Sequence, residues 1–574
     1  MYKILSWAAF PVVILSIICV LVTSNIWLNG LPEGHDYHNQ IVSYELFRDQ
    51  LSSGEFFPRW LKDANSGLGG MNLFYYPIFS YYSAYLVDTL TPDFLSTKHI
   101  LGMNASLFIL LSSFSAYYLF RSFSDKPIAF TGALLYAILP YHLSYDLIIR
   151  NALAETCAYI WVPLIFSFIR PEKLIHKHNV IFLAFSYCLL ILSHIPSALF
   201  FSVFIGAYCL MKLVALDSTK ERINYTLSCS FAIFAGLGLS SAFLMPAITM
   251  LDYINTEFLW SWFFDYSNWF LFPLSVCHID AFCEGPRMFA VMQFIIPLIL
   301  LLFFLFFKDR ERSPSITIEI YHYIFLAALC LFLMSVYSDF IWTAIPVLQK
   351  AQFPWRLLAV SDFIYVTLLV HIISQRPFKK ISSDHKTFVL LVILISFYTA
   401  YDTFINATKH GFEVIPNYDQ STLEHAYKSK NTHYEYVPQN KHSHSLSYEE
   451  QMNIKKTPLI QTSSNDAIVD LLEHKSRNIT LSVNARDNFI LSIGQFYLPA
   501  WQVIKNDINV TQDVALHSIE PYGQMAMALP AGKYNIELVL PLFVQEKLGL
   551  IISLISVLLL ALYGFVYARK NPVP

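Results

Sequence analysis

The run ILSWAAFPVVILSIICVLVTSNIW, residues 4–27, follows Lys3 and is long and apolar enough to cross a bilayer once. It lacks a convincing small-residue cleavage site, so it reads as a retained anchor. Just beyond it stands Gly34-His35-Asp36-Tyr37-His38, an acid flanked by two histidines where the chain leaves the membrane. A solvated acid in such a place is ordinary. It gains weight from the other ionisable residues that the topology brings to the same face.

The chain has 574 residues, of which 55% are hydrophobic, 16% aromatic and only 14% charged, with a mean hydropathy of +0.48. A soluble chain of this size carries about a quarter charged residues, so this one is a polytopic membrane protein. A net charge of -3 speaks against a nucleic-acid partner. Six of the eight cysteines, Cys19, Cys157, Cys188, Cys209, Cys229 and Cys330, lie in or beside apolar runs and read as small hydrophobes. Cys277 and Cys283 share one loop and can pair in an oxidising compartment. No Walker loop, Gly-x-Ser-x-Gly or Cys-x-x-Cys occurs, which disfavours a nucleotide motor, a serine hydrolase or a redox carrier.

Apolar runs fall near 4–27, 99–120, 127–145, 153–169, 179–194, 196–214, 227–247, 289–307, 321–337, 357–374, 387–404 and 546–567. That predicts a mainly α bundle of about twelve spans. Arg121 and Lys126, then Arg170, Lys173 and Lys177, then Lys212, Lys220 and Arg222 fall on one side. Lys308, Arg310 and Arg312, the basic group from Arg376 to Lys386, and Arg569 with Lys570 fall there too. Basic alternate loops set that side as cytoplasmic, together with both termini. The pieces 28–98, 248–288, 338–356 and 405–545 then face outward. The aromatic stretch 74–90 reads as interfacial or re-entrant, because a full span there would invert every later loop. Trp260, Trp262 and Trp269 suit a surface at headgroup level.

Three regions are expected: a transmembrane domain at 1–404, an outer mainly-β domain at 405–545, and a last helix with tail at 546–574. The β reading rests on alternation in Ile479-Thr480-Leu481-Ser482-Val483 and Phe489-Ile490-Leu491-Ser492-Ile493, and on a turn at Leu529-Pro530-Ala531-Gly532-Lys533 before Tyr534–Leu540. A small β-sandwich tethered by helices at both ends is the natural form.

Charges near a bilayer cost about 2.5–3.5 kcal/mol each, and mark candidate sites. The outer ends of the spans collect His35, Asp36, His38, Arg59, Arg150, Glu155, His194 and Arg356, which together suggest a polar cavity. Asp36 is the best general-base candidate, since removing a hydroxyl proton needs a carboxylate close by. His35 and His38 beside it have three open readings: to orient it, to join it in holding a divalent metal such as Mg2+ or Mn2+, or simply to face water. Glu155 is a second acid, a little over one helical turn from Arg150. Arg150 and Arg356 suit phosphate, whose oxygens match the guanidinium fork. His194 stands at a tight turn, where a lone histidine is more often a satisfied turn residue.

These residues and several short motifs resemble the GT-C superfamily of multi-span glycosyltransferases. The motifs are Phe57-Pro58-Arg59-Trp60, Asn65 with its glycines, Tyr76-Pro77, Arg150…Glu155 and Phe353-Pro354-Trp355-Arg356. Within that superfamily the chain resembles the bacterial proteins labelled 6-pyruvoyl-tetrahydropterin-synthase-related. Its C-terminal part, with Phe496-Tyr497-Leu498-Pro499-Ala500-Trp501, is similar to YfhO-like proteins. The resemblance implies a bacterial inner-membrane enzyme with its site facing the periplasm. It would move a sugar, with inversion, from a polyprenyl-phosphate donor to a glycan, lipid or polymer acceptor. Asp36 would be the base and Glu155 a second catalytic acid. Arg150, Arg356 and Arg59 would hold the donor phosphate, and His194, Tyr76 and Trp355 would line the cavity. Some superfamily members carry two adjacent acids where this chain has histidines beside Asp36. A flippase or a non-catalytic assembly factor for lipid-linked glycans is the alternative. A flippase would be expected to show inverted repeats and midplane polar groups.

Overall fold

The structure, a computed structural model, describes residues 2–254, 262–273, 314–374, 436–438 and 456–570 except 507, 510–512 and 520, with single positions at 256, 260, 286, 453 and 454. Among these, six helices are long and apolar enough to cross a membrane: Thr97–Arg121, Lys126–Ile149, Ile195–Ala215, Thr219–Thr249, Pro354–Ser374 and Val544–Val566. Pro11–Val22, Leu153–Phe168, Lys177–Ser193 and Ile318–Leu333 are shorter apolar stretches. The runs 289–307 and 387–404, the Cys277/Cys283 pair and the boundary at 405 lie outside the described residues.

Three of the expected spans are broken, each for a local reason. Helix α1 (Tyr2–Val22) gives way to α2 (Ser24–Asn29) at Thr23, whose hydroxyl donates to the Cys19 carbonyl at 2.8 Å. The span beginning at Lys126 is α-helical to Ile138 and continues as a π-helix over Pro140–Ile149. Pro140 has no N–H and holds Leu139 out of helical geometry. The third run divides into Leu153–Ala158 and Trp161–Phe168. Within 74–90, the helix Phe79–Leu90 has 12 residues. At about 1.5 Å per residue it is far too short to span.

The last helix packs along Thr219–Thr249 through small residues. A Cβ on Gly238 would run into Ser556, and one on Gly549 into the Ser241 carbonyl. Ser553 donates to the Gly238 and Leu239 carbonyls at 3.0 Å and accepts from the Ala242 N–H at 2.9 Å. Such close approach is how helices associate where no hydrophobic effect separates them from lipid. Gly549→Leu should therefore cost about 1–3 kcal/mol through overpacking. A lowered melting temperature of the detergent-purified protein would register it, and an unchanged one would contradict the packing account.

The C-terminal region is a sandwich of two antiparallel sheets. Strands β1 (Ile460–Thr462), β4 (Phe489–Phe496), β8 (Gln524–Leu529) and β7 (His517–Ile519) form one sheet in that order. The other runs β2 (Ala467–Lys475), β3 (Asn478–Ala485), β9 (Gly532–Val539), β5 (Gln502–Lys505) and β6 (Ile508–Asn509). Alternate residues Ile479, Leu481, Val483, Leu491, Ile493, Ile536 and Leu538 are buried between them, as a period of two requires.

The sandwich is more than tethered. Its core is continuous with Trp60, Leu68, Met71, Phe74 and Tyr75 of the first loop. Gln495 accepts from the Trp60 indole at 2.9 Å and donates to the Lys62 and Gly67 carbonyls at 2.8 and 2.5 Å. The Asn65–Gly70 stretch makes this seat. Asn65, Ser66, Gly67 and Gly69 all take positive φ, and a Cβ on Gly69 would strike Trp60.

Candidate active site

The site forms where the first loop meets the end of the π-helix. The His35 N–H donates to the Ile149 carbonyl and the Asp36 N–H to the Arg150 carbonyl, both at 2.9 Å. Asn151, at φ 55, turns its side chain back on both partners. Its Nδ2 donates to the Leu147 carbonyl at 2.9 Å, and its Oδ1 accepts from the Gly34 N–H at 2.7 Å. A Cβ on residue 34 would collide with Asn151 and with the Ile149 carbonyl, so this approach needs glycine. Asp36 and Arg150 are thereby fixed side by side by backbone.

Asp36 occupies the residue before helix α3 (Tyr37–Ser52), a position where a carboxylate ordinarily caps the first free N–H groups. Here it makes no such bond, and it forms no hydrogen bond or ion pair with any described residue. Tyr76 lies opposite, accepting from Gln40 Nε2 at 2.8 Å and stacked on Tyr81 with centroids 5.7 Å apart. Burial, and then the Asp36 carboxylate, push the Tyr76 phenol upward, with Arg150 and Arg356 opposing.

Arg150 is buried and forked on Nη1 between Asp146 and Glu155, the latter at 2.8 Å. Its guanidinium lies 4.9 Å from the Trp355 ring centre. Nε and Nη2 make no hydrogen bond with any described residue. Glu155 also takes Arg356 Nε at 3.7 Å and the Tyr141 hydroxyl at 3.2 Å. Arg356 is braced by the Ala351 carbonyl at 2.8 Å and lies 4.9 Å from the Phe353 ring centre. His194 caps Ile195–Ala215 by accepting the Ser197 N–H on Nδ1 at 3.3 Å, with the Ser197 hydroxyl 2.7 Å from the same nitrogen, within reach of the charges of Glu155, Arg356 and Arg150. The structure thus brings together Asp36, His35, Tyr76, Arg150, Glu155, His194, Trp355 and Arg356. His38 sits half-buried in the first turn of α3.

Three expectations need correction. Arg150 and Glu155 do not share a continuous helix; the break at Asn151 separates them and the ion pair joins them. Glu155 Oε1 accepts from the Tyr141 hydroxyl, and Oε2 holds Arg150 and Arg356. Arg59 stands apart from the cluster. It donates to the Leu73 and Ala242 carbonyls at 2.6 and 2.8 Å among the rings of Phe57, Phe74 and Phe243. Burial lowers its pKa to about 10, which leaves it charged and spent on structure. Trp269 does not lie on the surface either; it is buried against Phe353, with ring centroids 5.1 Å apart.

The acid that sequence reasoning missed is Asp146, fully buried on the π-helix, with its second oxygen unpartnered among the described residues. Its signal was the spacing of four from Arg150 at the edge of an apolar run. Among the described residues no three His, Cys, Asp or Glu groups are placed to hold a metal ion. Burial lowers the His35 pKa, ahead of an opposing effect from Asp36, so His35 stays neutral at pH 7. Below about pH 6.5 the unfolded chain takes up that proton first, so stability falls on acidification. His35→Gln should flatten the decline in melting temperature between pH 7 and pH 5.

No family model matches the chain, and no curated protein matches it. Solved structures do. Arabinofuranosyltransferase AftD from Mycobacteria matches with a TM-score of 0.41 at 10% identity, covering 71% of this chain and 27% of AftD. The oligosaccharyltransferase AglB from Archaeoglobus fulgidus, in complex with an inhibitory peptide and a dolichol-phosphate, matches with a TM-score of 0.39 at 16% identity. That match covers 71% of this chain and 56% of AglB. The chain thus spans about a quarter to just over half of these neighbours.

Proposed function

We propose that this is a membrane glycosyltransferase of GT-C type that moves a sugar, with inversion, from a polyprenyl-phosphate donor to an extracytoplasmic acceptor. The observation that carries the reading is the Asp36 carboxylate, which has no hydrogen-bond or ion-pair partner among the described residues and is tied through its backbone to Arg150, whose guanidinium is itself held in place. Asp36 takes the proton of an acceptor hydroxyl. The oxygen attacks the anomeric carbon from the face opposite the lipid, and the bond to phosphate breaks with its electron pair on the departing oxygen. Arg150 Nε and Nη2, with Arg356, meet the charge that grows there; preorganised donors of this kind are worth several kcal/mol. Asp146 and Glu155 act as positioning residues, because they hold both arginines before any donor arrives.

The test is turnover by the wild-type protein in lipid. Candidate polyprenyl-phosphate sugars are offered with acceptor, and free polyprenyl phosphate is measured. Release that depends on acceptor supports the reading. Donor that binds and is never cleaved would transfer the argument to a flippase.

A further inference from the structure

A second site lies outside the cluster. At the end of α2 a cavity of about 190 Å³ is lined by Asn25, Asn29, Glu33, Tyr37 and Lys98 over a floor that includes Gly30 and Leu31. The Leu31 N–H donates to the Lys98 carbonyl at 2.8 Å, which ties the loop to the start of Thr97–Arg121. Gly30, at φ 89, has no Cβ, and the Lys98 stem lies where one would be. Lys98 is thereby one of the residues that line the cavity. Lys98 and Glu33 both line it, yet they form no ion pair with each other. Their opposite charges are held apart on one concave surface.

The approach to this cavity is apolar. Val13, Ile17 and Leu21 of α1 are 51%, 53% and 65% exposed, an apolar stripe at every fourth residue. Beyond the break at Thr23, Asn25 and Asn29 of α2 are hydrogen-bonded to each other. Along the chain an exposed apolar stripe on α1 is followed by two amides at the cavity, the order in which a membrane passes from acyl chain to headgroup.

We propose that this cavity binds a zwitterionic phospholipid of the phosphatidylethanolamine class. The acyl chains lie along Val13, Ile17 and Leu21, the phosphate meets Lys98 and the two asparagines, and the ammonium meets Glu33. The assignment is independent of the glycosyltransferase reading.

Native mass spectrometry of the full chain in mild detergent tests it, with phosphatidylethanolamine or phosphatidylglycerol of matched chains as probe. A charge near the membrane surface contributes about 1 kcal/mol, so wild type should prefer phosphatidylethanolamine by about fivefold. Lys98→Met should weaken both lipids. Glu33→Gln should abolish the preference, by removing an attraction for ammonium and a repulsion of the anionic lipid. Both side chains are exposed, so neither change threatens folding. The proposal is overturned if wild type binds the two lipids equally or if Glu33→Gln keeps the preference. It also fails if chain-free glycerophosphoethanolamine competes as well as the lipid, since the occupant is then a soluble zwitterion.

Discussion

Asp36→Asn should lower acceptor-dependent release of polyprenyl phosphate by roughly 10²–10⁴, the range lost when a positioned general base is removed. Asparagine keeps the shape of the side chain and its place before α3, and no described hydrogen bond or ion pair of the carboxylate is lost with the charge. The backbone bond from residue 36 to the Arg150 carbonyl is untouched. Donor affinity should stay within about twofold of wild type, because the phosphate is assigned to Arg150 and Arg356; an effect confined to kcat marks a transition-state contact. A folded Asp36→Asn protein that turned over at the wild-type rate would remove Asp36 as base. A loss of donor binding with unchanged kcat would instead make it a ground-state contact.

Arg150→Met should be the most destabilising single change in the membrane region. It leaves Asp146 and Glu155 buried without their shared cation, and orphaning a buried charge costs about 3–5 kcal/mol. The loss belongs to the carboxylates more than to the arginine. Adding Asp146→Asn and Glu155→Gln to Arg150→Met should therefore recover most of the melting temperature while leaving the protein inactive. Such strong non-additivity is expected of residues in one ion-pair network. If Arg150→Met alone melts like wild type, the network is not a structural unit and Arg150 has no fixed position from which to meet a phosphate.

The sequence shows where charge gathers more readily than what each charge does. Alternating basic loops and apolar runs place Asp36, Arg150, Glu155 and Arg356 on one face, and the structure does assemble them. Phe57-Pro58-Arg59-Trp60 and Phe353-Pro354-Trp355-Arg356 look alike in sequence, yet one arginine supports a loop and the other stands in the site. The difference comes from what packs on each. Arg59 is closed in by Phe243 and Ala242, more than 180 residues away, and no local pattern announces that. Asp146 was hidden because hydropathy ends the run at 145, whereas the π-helix carries it to Ile149. The strands were easier, since an alternation of two survives any tertiary context that buries one face.

The seat between Trp60 and Gln495 joins residues 435 positions apart. A nascent chain would insert most of its helices before the partner of its first loop exists. Trp60, Leu68 and Phe74 would meanwhile lie bare, and contacts of such long range make for slow maturation. Assembly then runs backwards relative to synthesis, with the later-made sandwich completing the earlier loop. Deleting the sandwich should therefore expose that loop to proteases and chaperones, and would harm more than a distal module.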